Sequence, residues 1–465
     1  MFFGRKKELE ILNKLYNRKK FEFPVIYGRR RVGKTTLIKE FCKNKKAVFF
    51  VALETDWKIN LEHFSTQVYS VFDIKKAENS FFPSWDKAFD YIFKVTKNER
   101  IILVIDEYPY LAKNYTEISS ILQFYIDHKF KESQLFLILC GSSMSFMEHQ
   151  VLGYKSPIYG RRTAQFKIKS FNFFDSLPFF RNFDKVDKAN LYGITGGIPE
   201  YLNKIDNEIS VEENITELFL TPSGYLFEEP MNLMKQELRE PATYNGILKA
   251  IAEGASKLNE IATKNNNISS SKCSKYLSDL IALGIIKKEI PVTEKLSKKS
   301  IYTLDDQMFS FWYRFVFPNI SAIVEGSSKN FYKYNVEPFF KYFMGKVFEE
   351  ICKQYLWNSN NEEKLPFYFT DLGRWWGNDS LNKRETEIDI LAYMGKKNAI
   401  FAECKWTNEK VDLKILEELI QKSKLFRYEK NYFYIFAKTG FTNGCIDKAK
   451  ENNNIKLIIF DEILD

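Results

Sequence analysis

The sequence has little of what builds metal or disulfide frameworks. Only three of its 465 residues are His, which argues against a His-based metal site. Its six Cys, at 42, 140, 273, 352, 404 and 445, never fall in Cys-x-x-Cys spacing. Several stand inside apolar runs, which suits reduced, packed thiols rather than disulfides or zinc. Long hydrophobic runs are missing too. A run such as LFLILC at 135–140 is far short of the roughly 20 residues that cross a bilayer, so neither a transmembrane helix nor a membrane partner is expected. The opening MFFGRKKELEIL is charged from Arg5 onward and has no apolar segment, unlike a secretory signal. The expected location is the cytoplasm. What is present is ordinary for a soluble chain, with 45% hydrophobic and 28% charged residues. A net charge of +9 permits a polyanionic partner without requiring one. At this length a single core does not suffice, and two to four domains are expected.

The stretch FPVIYGRRRVGKTTLIKEF fits the phosphate-loop pattern at Gly28, Gly33, Lys34 and Thr35, between an apolar strand and a helical segment. Glycines let backbone N–H groups turn inward around phosphates, and the helix start adds its positive dipole end. Lys34 then reaches the outer phosphates and Thr35 ligates magnesium, with Thr36 counted among the nucleotide-binding residues. In RIILVIDEYPYL a second strand ends in Asp106 and Glu107, placing one acid on the magnesium and one to polarise the attacking water. LFLILCGSSMSFM delivers Ser142 and Ser143, where a hydroxyl senses the γ-phosphate. Arg161 and Arg162 in SPIYGRRT are candidates to neutralise transition-state charge, in cis or across an oligomer interface; the competing reading is a surface pair.

These motifs, with FFGRKKELEIL at the start and YGITGGIPEYL at 192–202, resemble the archaeal and bacterial ATPases of the AAA+/STAND superfamily over residues 1–205. The resemblance implies a nucleotide-binding core with Gly4 and Arg5 near the adenine end. It also places Gly196, Gly197 and Pro199 near a helical lid, and implies ATP coupled to a conformational switch.

Residues 245–254, 256–263 and 269–283 have helical spacing, and two apolar strands follow around a Lys-rich tip with Lys295, Lys298 and Lys299. That order is a winged helix-turn-helix. Its third helix offers Ser270, Ser271, Lys272 and Lys275 to DNA, mostly to phosphates; the competing role is packing or protein binding. FSFWYRFVFP at 309–318 reads as an aromatic packing seam and EGSSKN at 325–330 as a linker.

In the last third, 339–356 reads as an amphipathic helix with Glu349 on or near a stripe of Phe343, Val347 and Ile351. After an irregular stretch, ETEIDILAYMGKKNAIFAECKW gives two strands and a turn. Glu403 and Lys405, two apart, share one face. If the loop is Gly395–Lys397, Asp389 lies opposite Glu403; a four-residue loop sends Asp389 to the other face. Under the first register Asp389 and Glu403 suit magnesium, and Lys405 holds or activates a water. This spacing looks like the PD-(D/E)xK restriction-like nucleases, which implies Glu349 as the acid on the first helix and Glu387 as an extra acid nearby. The region as a whole resembles a domain of unknown function often fused to these ATPases.

The expected fold class is therefore α/β: a P-loop AAA+-like parallel sheet with a helical lid (1–220), a winged helix (221–325) and a restriction-endonuclease-like domain (330–465). The expected function is ATP-regulated cleavage or processing of nucleic acid, DNA first, with ATP and Mg²⁺ as cofactors and a homo-oligomer as a possible assembly. The rival is a nucleotide-switched regulator or scaffold whose nuclease-like domain no longer cleaves.

Overall fold

The structure is a computed structural model that describes residues 2–74, 81–295, 299–379 and 383–464. Lys298, expected at the ribbon tip, lies outside them. The chain divides into two compact units, Met1–Phe171 with Ile198–Glu200 and Asn172–Gly197 with Tyr201–Asp465.

The first unit is built on five parallel strands: β1 (Pro24–Tyr27), β2 (Ala47–Val51), β3 (Ile101–Asp106), β4 (Leu135–Gly141) and β5 (Ala164–Lys167). Their spatial order is β2-β3-β4-β1-β5. β3 and β4 are buried at every residue, which is why they read as unbroken apolar runs rather than alternating ones. The edge strand β5 buries only Phe166. The order reverses beside β1, so the carboxyl ends of β1, β3 and β4 open onto one crevice, where ligands bind in open α/β sheets.

In the second unit the helices Pro241–Ala252, Leu258–Lys264 and Ser270–Ala282 precede an antiparallel ribbon of β6 (Ile286–Glu289) and β7 (Ile301–Leu304). Ile247, Leu248, Ile261, Leu277 and Leu280 form their shared core. The aromatic stretch that follows is buried from Met308 to Phe309 and from Phe311 to Tyr313, and the Trp312 indole N–H donates to the Phe227 carbonyl at 2.7 Å. It packs rather than stacking bases. The linker expected at 325–330 is mostly helix: Gly326 and Ser327 alone separate the helices Ile320–Glu325 and Ser328–Phe331, with Ser327 capping the second.

The C-terminal sheet has the order β12-β11-β10-β9-β8, from β8 (Asp371–Asp379), β9 (Arg384–Met394), β10 (Asn398–Lys405), β11 (Lys430–Ala437) and β12 (Ile455–Ile459). β10, β11 and β12 run parallel, whereas β8 and β9 are antiparallel additions. The long helix Glu337–Asn361 buries Phe343, Val347 and Ile351 as its spacing predicts. The helix Leu413–Ser423 covers Phe401, Ile435 and Leu391 with Leu416 and Leu419. β8 is a correction, because DLGRWWGND falls in the stretch expected to be irregular. It lacks a period-two apolar pattern, and pairing with β9 makes it a strand.

Candidate functional site

The phosphate loop leaves β1 and enters the helix Lys34–Cys42 through Gly33, whose φ of 87° a side chain would strain. At Gly28 a Cβ would stand 2.2 Å from the Ile168 carbonyl oxygen, so the loop passes β5 only without one. Lys34 is buried, and its ammonium donates to the carbonyls of Gly28 and Arg29 at 2.9 and 3.0 Å. The lysine is thus folded along the loop it serves. Thr35 Oγ1 donates to Asp106 Oδ2 at 2.8 Å, joining the two residues that read as magnesium ligands across β4. Thr36 is exposed on the helix. Arg5 donates to the Val32 carbonyl at 3.1 Å and lies 4.5 Å from the Phe171 ring centroid; Gly4 takes φ 67° against the same ring.

Glu107 sits at φ 51° in left-handed backbone, a conformation costly for a residue with a side chain. Its Oε2 accepts from both the amide and the hydroxyl of Ser142, at 3.2 and 2.8 Å. The sequence placed Ser142 on the γ-phosphate side; in the fold it is joined to the candidate base. The paired arginines part company. Arg161 gives Nε and Nη2 to Asp127 at 2.6 to 3.0 Å, and Nη1 to the carbonyls of Pro157 and Tyr159 at 2.9 and 3.0 Å. That fork is spent on structure. Arg162 is half-buried beside Gly160 and Gln165.

In the second unit β10 pairs with β9 from Asn398↔Met394 to Ala402↔Ile390, the register of a three-residue loop at Gly395–Lys397. The next step would set Glu403 against Asp389, but the ladder stops there. Asp389 Oδ2 accepts from the Cys404 amide at 2.9 Å instead. On its other edge β9 bulges: Gly373 faces Leu391 and Trp375 faces Ile388, so Asp389 and Ile390 together oppose Arg374. Such bulges re-aim side chains beside functional sites. Lys405 donates to Glu403 Oε1 at 2.7 Å, and Lys422, from the helix Leu413–Ser423, stands 3.5 Å from Oε2. Lys346 donates to Glu349 at 2.7 Å, and Arg374 pairs with Glu387.

Burial raises the Asp389 carboxyl above its ordinary range, and the charge of Glu403 raises it further. Glu349 is raised by burial and then by Asp389. Burial lowers the Lys405 ammonium, but Glu403 more than offsets this and leaves it raised. Crowded, desolvated oxygens are donors that a hard cation suits. Asp389 and Glu403 fit it best, since Glu403 Oε2 is buried without a hydrogen bond, with Lys422 3.5 Å away. Among the described residues no three His, Cys, Asp or Glu side chains converge to hold a metal ion; lysines balance the acids. Sequence reasoning missed Lys346, Lys422 and Arg374, which no local spacing ties to the hairpin.

Residues 2–205 match the family described as an ATPase domain predominantly from Archaea, and residues 312–416 match a family of archaeal and bacterial proteins of unknown function. The uncharacterised protein MJECL04 of Methanocaldococcus jannaschii is 35% identical over 472 residues, covering 99% of each chain. The chain belongs to the archaeal ATPase_2 family. A 46-residue stretch of this ATPase is also 56% identical to the uncharacterised ATP-binding protein MJ0423 of the same organism, covering 10% of this chain and 78% of the other. The Walker-type ATPase PABY2304 of Pyrococcus abyssi shares the fold with a TM-score of 0.51 and 20% identity, over 67% of this chain and 96% of that one. No helix among the described residues of this ATPase is long and apolar enough to cross a membrane.

Proposed function

We propose that this ATPase hydrolyses MgATP in its first unit and acts on nucleic-acid phosphodiesters in its second. Lys34, with Thr35 and Asp106 as the magnesium-holding pair, supports the nucleotide half. Glu107 orients the attacking water, and Arg162, which precedes β5 at the amino edge of the sheet and so away from the phosphate loop of its own chain, supplies charge to the γ-phosphate across a subunit interface. In the second unit the observation that carries the reading is the Glu403–Lys405 contact at 2.7 Å, with Asp389 tied to the amide between them. Asp389 and Glu403 would hold magnesium, which when bound supplies Lewis-acid stabilisation of phosphate charge. Lys405 keeps its proton, positions a water and offsets charge on the phosphate. The C-terminal sheet is read as restriction-endonuclease-like, and the three helices with the β6–β7 ribbon as a winged helix that contacts DNA phosphates.

A second reading has its own observation. Glu349, Glu403 and Glu387 each carry a cationic partner, which suits a nucleotide-switched regulator whose nuclease-like domain binds without cleaving. One assay separates the two: magnesium-dependent cleavage of supercoiled, linear, branched and single-stranded DNA, with and without ATP. Cleavage lost in Asp389→Asn supports the first reading, and ATP-dependent binding without any cleavage supports the second. Lys34→Ala should lose nucleotide binding; unchanged affinity would overturn the ATP site itself.

A further inference from the structure

The long helix that carries Glu349 has an outer face that the fold leaves uncovered. Phe339 is 50% and Tyr342 63% exposed, unusual for rings on a well-packed helix. At helical spacing Phe339, Tyr342, Lys346, Glu349 and Lys353 follow one another along a single stripe. The ten residue steps from Phe339 to Glu349 span about 15 Å of helix axis. The stripe ends in a cavity of about 250 Å³ that Lys346, Glu349, Lys353 and Arg374 help to line.

The charge around the rings selects an occupant. Residues 327–346 contain four lysines, at 329, 333, 341 and 346, against one acid, Glu337. The Lys341 ammonium stands 5.0 Å from the Tyr342 ring centroid, and Lys333 stands 5.5 Å from that of Tyr334, itself 66% exposed. A purely apolar partner would have to desolvate these cations. A polyanion with planar, unpaired bases satisfies both kinds of group, because every base offers a face to an aromatic ring and every linkage a phosphate to a lysine. Duplex bases are stacked on one another and do not present those faces.

We propose that this stripe is a binding track for single-stranded nucleic acid. It rests on the reading of Asp389, Glu403 and Lys405 as a nucleic-acid site, and it makes an unpaired strand the substrate of that site. Phe339 and Tyr342 stack bases, Lys333 and Lys341 take phosphates, and Lys346, paired with Glu349 at 2.7 Å, marks where the track meets the site.

The test is fluorescence anisotropy of the full chain with a labelled oligothymidylate, and with the same strand paired to oligodeoxyadenylate. Phe339→Ala and Tyr342→Ala should each weaken single-strand binding by at least about fivefold, with duplex binding, ATP turnover and thermal midpoint unchanged. Tyr342→Phe, which keeps the ring, should bind like wild type. Equal single-strand affinity of the double Ala variant overturns the track. So does a wild-type dimer that the double variant loses in sedimentation, because a second copy would then cover the rings. If the rings govern binding but no substrate is cut, the track stands and the cleavage reading falls. If wild type and double variant bind and cut alike, the outcome is reversed.

Discussion

Glu107 and Ser142 are joined twice, through the amide and the hydroxyl of the serine to a single carboxylate oxygen. The end of β4 thereby holds the side chain that we propose aims a water at the γ-phosphate, while Glu107 itself stays in left-handed backbone. Base and orienting group are fixed by different strands, so their contributions separate. Glu107→Gln removes the base and keeps the shape: nucleotide affinity should hold while turnover falls by about 10²-fold or more. Ser142→Ala leaves the base but removes one of its two anchors, and a smaller loss, on the order of tenfold, is expected with the same affinity. Steady-state turnover beside equilibrium nucleotide binding distinguishes them; wild-type turnover in Glu107→Gln would show that another group orients the water.

Arg161 and Arg162 are neighbours in sequence with different surroundings. Arg161→Ala leaves two carbonyls without their donor and Asp127 with Lys131 at 3.1 Å, so it should lower stability by about 1 kcal/mol for a partly exposed charged bond set, read as a lower thermal midpoint. Asp127→Ala should reproduce most of that loss, and the double variant should add little to either. Arg162→Ala should leave the midpoint in place and slow hydrolysis. If Arg162→Ala hydrolyses ATP normally, Arg162 does not serve the γ-phosphate; if the double Ala variant does so too, both arginines are structural.

The P-loop half was legible because its signals are local. Strand, glycine turn and helix start lie within Pro24–Cys42, and β3 and β4 announce themselves as buried runs that end in Asp106 and Ser142. The β9–β10 register was also within reach once the loop was taken as three residues, since period two then fixes every pair. What escaped is long-range. The Arg161–Asp127 fork closes over 34 positions, and the pairing of β8 turns an unpatterned stretch into a strand. The bulge that sets two β9 residues against Arg374 is a property of that pairing, so Asp389 could be placed beside Glu403 but its turn to the Cys404 amide could not be foreseen. Lys422 reaches Glu403 from a helix whose sequence shows only an amphipathic face.

The ribbon and third helix should bind DNA through charge. Lys272 and Lys275 are exposed on the helix Ser270–Ala282 and Lys295 is exposed before the tip, while Lys299 pairs with Glu294 at 3.0 Å. Replacing Lys272, Lys275 and Lys295 by Ala should lower duplex affinity for all sequences alike. It should also reduce the slope of log K against log salt by about one for each phosphate that a lysine no longer neutralises. An unchanged slope assigns the module to packing.

The strained acids of the second unit make a prediction about stability and its sign. A carboxylate whose folded-state pKa is raised above the unfolded value destabilises the fold wherever it is ionised. The cost is fully present above the folded pKa and vanishes below the unfolded one. Asp389 and Glu349 are both raised, first by burial and then by a neighbouring acid. Asp389→Asn keeps an oxygen for the Cys404 amide and removes the charge. It should therefore raise the thermal midpoint at neutral pH, by roughly 2–4 °C for about 1 kcal/mol, and the gain should shrink as pH falls through the carboxylate range. Millimolar magnesium should raise the wild-type midpoint and leave that of Asp389→Asn in place, a readout independent of cleavage. A variant destabilised at neutral pH would mean that Asp389 is held by its cationic neighbours Lys405 and Lys346 more strongly than burial and Glu403 oppose it, and the pair would then be structural rather than poised for a metal.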